Sequence, residues 1–326
     1  MIDLSFGHSR CVREAFLNTY NQYPVSFNKK KLMEFDYPSH HEGDLELIEI
    51  TKQIIKRQIG LNYKYVLITN GATGGVVISL RAYNYSGYLY CLTRNAPFYT
   101  RYPGMISASG LTQVQERNNI PNNSTVILLD APSNPIGLIT PIDNNGQKAP
   151  VILDGVYLNH VYMPWKIISI PQHDVFVGSY SKLLGINSIR VGFIALNDDF
   201  LYERIKHLVI SEYCSLSMAS THILKSTLIN FNWEQFETSA NVKLDNNREE
   251  FAKLEYLFGN TPTSSMGMFQ YVPMDSKCQE IISKAGIIWT KGATMGTDDS
   301  FGRFKLGASN QEVKKAVLSI LKMDGR

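Results

Sequence analysis

No stretch of this 326-residue chain offers the roughly 20 consecutive apolar residues that a membrane helix needs. Its start, MIDLSFGHSRC, has no basic segment followed by an apolar core, so no export signal is expected. Cysteine is sparse: Cys11, Cys91, Cys214 and Cys278 stand far apart, with no CxxC pair. That spacing speaks against zinc or a redox dithiol; no metal is expected, and reduced thiols in the cytoplasm are the simplest reading. Basic tracts are missing as well. The formal net charge is +3 and the NKKK run at Asn28–Lys31 fits a solvated patch, so neither nucleic acid nor a membrane is an expected partner. Neither the GxxxxGK[ST] nor the GxGxxG phosphate loop occurs. A GxSxG elbow is absent, and SYSK lacks the SDN and KTG partners of a serine β-lactamase.

What is present is a series of short apolar runs that end in turn residues. YVLITNG, GYLYCLT, STVILLDAPSNP, APVILDG, DVFVGS and VGFIAL have the length of strands buried on both faces. Helical patterns such as GGVVISLRAYN lie between some of them. Together they predict a mostly parallel sheet between helices over Tyr65–Leu196, an α/β domain. Beyond it, helix is expected over Asp199–Ile229 and again over Trp233–Leu257. Three β-like pieces follow, MFQYVPM, GIIWTKG and GRFKLGA. A last helix is expected over Asn310–Met323, with Ser309 and Glu312 as its capping box. This second region predicts a smaller α+β domain.

Ligands of open parallel sheets bind at the carboxyl ends of the strands. The first strand leads into NGATGG, where Gly71, Ala72 and Thr73 open a helix and free backbone N–H groups could approach an anion. Later strand ends carry SNPIG with Asn134, DGVY with Asp154 and Tyr157, and GSYSK with Ser179 and Lys182. Arg190 follows eight residues after that lysine. Each piece alone is an ordinary turn or helix cap.

In this order, with PFYTRY between the first loop and the NPxG turn, the pieces resemble the class I/II aminotransferase superfamily, the fold-type I enzymes that depend on pyridoxal phosphate. The resemblance extends from DLSFG near the start to GRFKLG near the end. It implies a discontinuous division: residues 33–238 form the large cofactor-binding domain, and 1–32 with 239–326 form the small one. It implies that Lys182 carries pyridoxal 5′-phosphate as a Schiff base and serves as the acid–base group. Burial beside cations would favour the neutral amine this requires. Gly71, Ala72, Thr73, Ser179 and Arg190 would hold the phosphate. Asp154 would pair with the ring nitrogen; a carboxylate ~4 Å away is worth roughly 4 kcal/mol at a dielectric of ~20, or about 3 pKa units. Tyr157 and Asn134 would bond the ring's phenolic oxygen. Tyr99 would stack on the ring, with Phe98 as a rival.

Arg303 would grip the substrate α-carboxylate with a planar fork, and Gly7 and Asn134 would complete that subsite. Tyr37, in FDYPSHHEG, resembles the tyrosine that reaches the phosphate of a second subunit, which implies a homodimer. The implied substrates are an amino acid and a 2-oxo acid. The residues also fit two relatives of the same fold, an alliinase-like carbon–sulfur lyase and an amino-acid decarboxylase. His8, Ser9 and Arg10 depart from the family pattern and could face the substrate or mark a shortened arm; His40 and His41, in the unusual SHHEG, could lie at the surface or contribute to the substrate pocket.

Overall fold

The computed structural model describes residues 1–20, 40–115, 122–139, 149–163 and 170–325. Tyr37 and the NKKK run lie outside them. After the short β1 (Ile2–Asp3), seven strands build the main sheet: β2 (Tyr65–Thr69), β3 (Tyr90–Leu92), β4 (Thr112–Val114), β5 (Thr125–Asp130), β6 (Val151–Asp154), β7 (Val175–Ser179) and β8 (Gly192–Leu196). Their order is β2-β8-β7-β6-β5-β3-β4. β8 runs antiparallel to both neighbours, and the other pairs are parallel. Strands β5, β7 and β8 are buried along their whole length, which is why their sequences are unbroken apolar runs instead of alternating ones. The polar and very short β4 carries no such run, and the sequence reading missed it.

Because β2, β3, β5, β6 and β7 share one direction, their ends deliver Thr69, Leu92, Asp130, Asp154 and Ser179 to one edge of the sheet. β8 runs the other way, so its start, next to Arg190, reaches the same edge. The backbone there is tight. A Cβ on Gly192 would stand 2.5 Å from the carbonyl carbon of Gly71 and 2.7 Å from the nitrogen of Ala72. Only glycine lets β8 come this close to the helix Gly71–Asn84.

Two smaller sheets flank the far end of the chain. One pairs Ile2–Asp3 with Ile287–Ile288; the other is antiparallel and joins Thr290–Lys291, Phe301–Lys305 and Phe269–Pro273. A separate apolar core lies under them, with Leu4, Phe251, Phe258 and Phe304 stacked beneath the helix Asn310–Met323. The predicted capping box is in place, with the Ser309 side chain accepting from the Glu312 N–H and Glu312 reaching back to the cap.

Two helix readings are corrected. The expected helix over Asp199–Ile229 is two, Asp199–Tyr213 and Met218–Leu228. Cys214 takes a left-handed φ of 56°, and Ser217 starts the second helix by accepting from the Ser220 N–H. The helix expected over Trp233–Leu257 ends at Ala252 and gives way to a 3₁₀ turn at Glu255–Phe258. That turn brings Phe258 onto Phe251 in the core. Among the described residues no helix is long and apolar enough to cross a membrane.

Candidate active site

The strand ends open onto a cleft of 760 Å³ between the large sheet and the β-pieces of the second region. Lys182 projects into it from the short helix Tyr180–Leu183 that caps β7. Its Nζ donates to the Gly7 carbonyl at 2.5 Å and to Asn187 Oδ1 at 3.3 Å. Burial, and then the charges of Arg190 and Arg303, bring the amine down to about 8. An ordinary lysine is almost wholly protonated at neutral pH, whereas this one is a usable nucleophile near it.

On one side of the lysine the cleft gathers hydrogen-bond donors around a helix N-terminus. Gly71 begins its helix with φ +66°, and a Cβ there would meet Arg190 Nη2 at 2.5 Å, so the guanidinium lies directly over the helix N-terminus. Arg190 itself holds a left-handed φ of 54°, and its Nη1 donates to the Asn187 carbonyl at 3.2 Å. Ala72, Thr73, Ser179 and Ser181 line the same corner. Free helical N–H groups, hydroxyls and a planar cation are the donor set that suits phosphate.

Deeper in the cleft Asp154 is buried, accepting from Tyr102 Oη at 3.0 Å. Burial and then the nearby charge of Asp130 push its carboxyl up to about 7. Tyr157 is buried beside it, set edge-on to Tyr162 and Phe269 with ring centroids at 5.1 Å and 6.0 Å. Tyr99 lines the cleft and packs edge-on against Tyr102. Phe98 does not line it and faces Gly296 instead.

The opposite wall holds Arg303, only 6% exposed. Its Nη1 donates to Asn134 Oδ1 at 2.9 Å, and its Nη2 to the Ser5 carbonyl at 2.9 Å and Thr290 Oγ1 at 3.1 Å. The guanidinium carbon stands 4.1 Å from the centre of the Phe269 ring, and Nε has no hydrogen-bond partner among the described residues. Every partner is neutral. Among the described residues no carboxylate balances this buried cation, a setting that favours an incoming anion.

The cleft therefore gathers Lys182, Asp154, Tyr157, Ala72, Thr73, Tyr99, Asn134, Ser179, Arg190, Arg303 and Gly7, and Gly71 supports Arg190 from beneath. His8 also lines it, whereas Arg10 turns away to pair with Glu312. Ser9 is buried against Tyr162 and Met268. His41 meets the Cys214 carbonyl, and neither His40 nor His41 is a lining residue. The sequence reading missed Tyr102, Asp130 and Asn187. Each lies within a few residues of a named motif, but only the packing of neighbouring strands and loops brings them to the lysine and to Asp154.

Residues 41–320 match the family model for aminotransferase class I and II. Among solved structures, the fold is similar to that of a Thermus thermophilus aspartate aminotransferase tetra mutant, with 15% identity and a TM-score of 0.77 over 99% of this chain and 96% of that one. It is also similar to a Methanococcus jannaschii protein described as resembling kynurenine aminotransferases in its active site. There the identity is 19% and the TM-score 0.74, over 98% of this chain and 91% of that one. An aminotransferase from Mycobacterium tuberculosis matches with 17% identity and a TM-score of 0.74, over 100% of this chain and 92% of that one. No curated protein matches the sequence.

Proposed function

The chain belongs to the class I and II aminotransferase family, whose members use pyridoxal 5′-phosphate, and we propose that it holds this cofactor in the cleft and moves an amino group between an amino acid and a 2-oxo acid. The observation that carries the reading is the buried Arg303, a cation with no carboxylate partner among the described residues, facing the depressed amine of Lys182 across one cleft. The residues fit the cofactor. Ala72, Thr73, Ser179 and Arg190 would hold its phosphate over Gly71, Asp154 would hold the ring nitrogen, and Tyr157 and Asn134 would face the phenolic oxygen. When bound, the group would supply the electron sink for charge left on the substrate Cα.

The chain's own residues account for the remaining steps. Lys182 would first form the covalent link, for which its amine must be neutral. Once released by substrate, the same amine would take the Cα proton and later return it, within hydrogen-bond reach of ~3 Å. Arg303 would clamp the α-carboxylate and so turn the Cα–H bond toward Lys182. Asn134 would keep that guanidinium in place through the bond to its Nη1. The same proposal assigns residues 33–238 to the large domain and 1–32 with 239–326 to the small one. It also places Tyr37 of a second subunit at the phosphate in a homodimer.

Borohydride reduction of the purified protein, followed by peptide mapping, tests the assignment. A pyridoxyl group should appear on the peptide that contains Lys182, and Lys182→Ala should abolish it together with turnover. The same adduct on another lysine would overturn the assignment.

A further inference from the structure

Asp130 is a second carboxylate in the floor of the cleft, and the cofactor reading gives it no role. It ends β5 in register with Asp154 at the end of β6, and both side chains line the cleft. They are 6% and 8% exposed. Two like charges opposite one another on neighbouring strands repel, and burial strengthens the repulsion. The two are not equally supported. Asp130 Oδ2 accepts from the Asn134 N–H at 2.8 Å, and its Oδ1 accepts from Arg94 Nε at 3.3 Å. Asp154 has the Tyr102 hydroxyl and, at 3.4 Å, the Val156 N–H, with no cation in hydrogen-bond contact among the described residues. Among the described residues Arg94 pairs with Asp130, and Asp154 has no cation against it.

We propose that Asp130 is a positioning residue that acts through Asp154: it makes the Asp154 carboxyl hold a proton until a ring cation arrives, so that cofactor affinity depends on pH. This rests on the cofactor reading above. On binding of the pyridinium form, the Asp154 O–H bond breaks, the proton passes to solvent, and the carboxylate pairs with the ring N–H. The direction agrees with the Asp154 carboxyl lying near 7, through burial first and Asp130 second. Other groups face the pair from each side. Tyr99 and Tyr102 approach from the PFYTRY segment and Tyr157 from the loop after β6, all three held neutral by burial well past neutral pH. Arg303 and Lys182 stand on the opposite walls of the cleft. Of these only Lys182 titrates near the Asp154 range, at about 8.

The probe is 4′-deoxypyridoxine 5′-phosphate, which has no aldehyde and cannot link to Lys182. Its dissociation constant would be measured between pH 5.5 and 9 on the full-length protein freed of bound cofactor, using the fluorescence of Trp289 in the cleft wall. Wild-type affinity should fall as pH drops through about 7. Asp130→Asn keeps an acceptor for the Asn134 N–H but loses the charge. Its limb should move toward acid by about one pH unit. The ligand's own ionisations are common to both proteins. An unmoved limb in Asp130→Asn would overturn the inference and leave the cofactor reading standing. So would an Asp130→Asn loss of the same size at every pH, which is what a residue that merely holds the turn would give. Failure of the wild type to bind the probe at any pH would bring down both readings together.

Discussion

Lys182 and Arg303 are the two residues on which the proposed chemistry rests. The lysine amine titrates near 8 because it is buried and faces Arg190 and Arg303. A lysine whose pKa is lowered reacts at lower pH than a free one, since the neutral form appears above its own pKa. Capture of pyridoxal phosphate by the cofactor-free protein should therefore accelerate as pH rises through about 8 and level off beyond it. In Arg303→Met one of the two facing cations is gone, so that rise should move to higher pH; stopped-flow absorbance would record both. For Arg303 itself, a charge-assisted fork is worth ~1.5–3 kcal/mol. Arg303→Ala should then weaken amino-acid binding by roughly one to two orders of magnitude, while amines lacking the carboxylate lose much less. Equal losses for both, measured as KM and as spectral binding constants, would mean the variant is misfolded or the clamp is elsewhere.

Elements matter through where they begin and end. The antiparallel β8 brings Arg190 to the edge that the parallel strands end on, and Gly192 lets it do so at backbone contact with Gly71 and Ala72. Gly192→Ala should push the helix start away from the cleft. The expected result is phosphate-ligand affinity at least tenfold weaker, with the main fold retained by circular dichroism. Ser309→Ala should cost about 1 kcal/mol of stability by removing the last helix's cap, a lowered Tm with unchanged turnover. The buried strands were legible because a strand covered on both faces must be apolar throughout. The final helix was legible because its cap is local in sequence. The break at Cys214 was not, because it rests on a backbone φ and a serine cap inside an otherwise helical pattern. At the site, the motif residues were legible through the family resemblance. Tyr102 and Asp130 were not, since an isolated Tyr or Asp says nothing until neighbouring strands and loops set it against Asp154.

At the scale of the whole molecule, the large sheet supplies the lysine, the anion corner and the buried acid, while the β-pieces at Thr290–Lys291 and Phe301–Lys305 supply the arginine wall. The cleft is complete only when both are packed together, so cofactor and substrate should each protect the second region from proteolysis as well as the first. Amino transfer and elimination would use the same lysine, acid and arginine, so the family of the fold alone does not separate them, whereas stoichiometry does. The protein, purified with its cofactor, is given an amino acid alone, and 2-oxo acid and ammonia are counted per subunit. An aminotransferase releases one equivalent of 2-oxo acid and no ammonia, stops, and resumes when a second 2-oxo acid is added. Continuous release of ammonia with no acceptor present would contradict it.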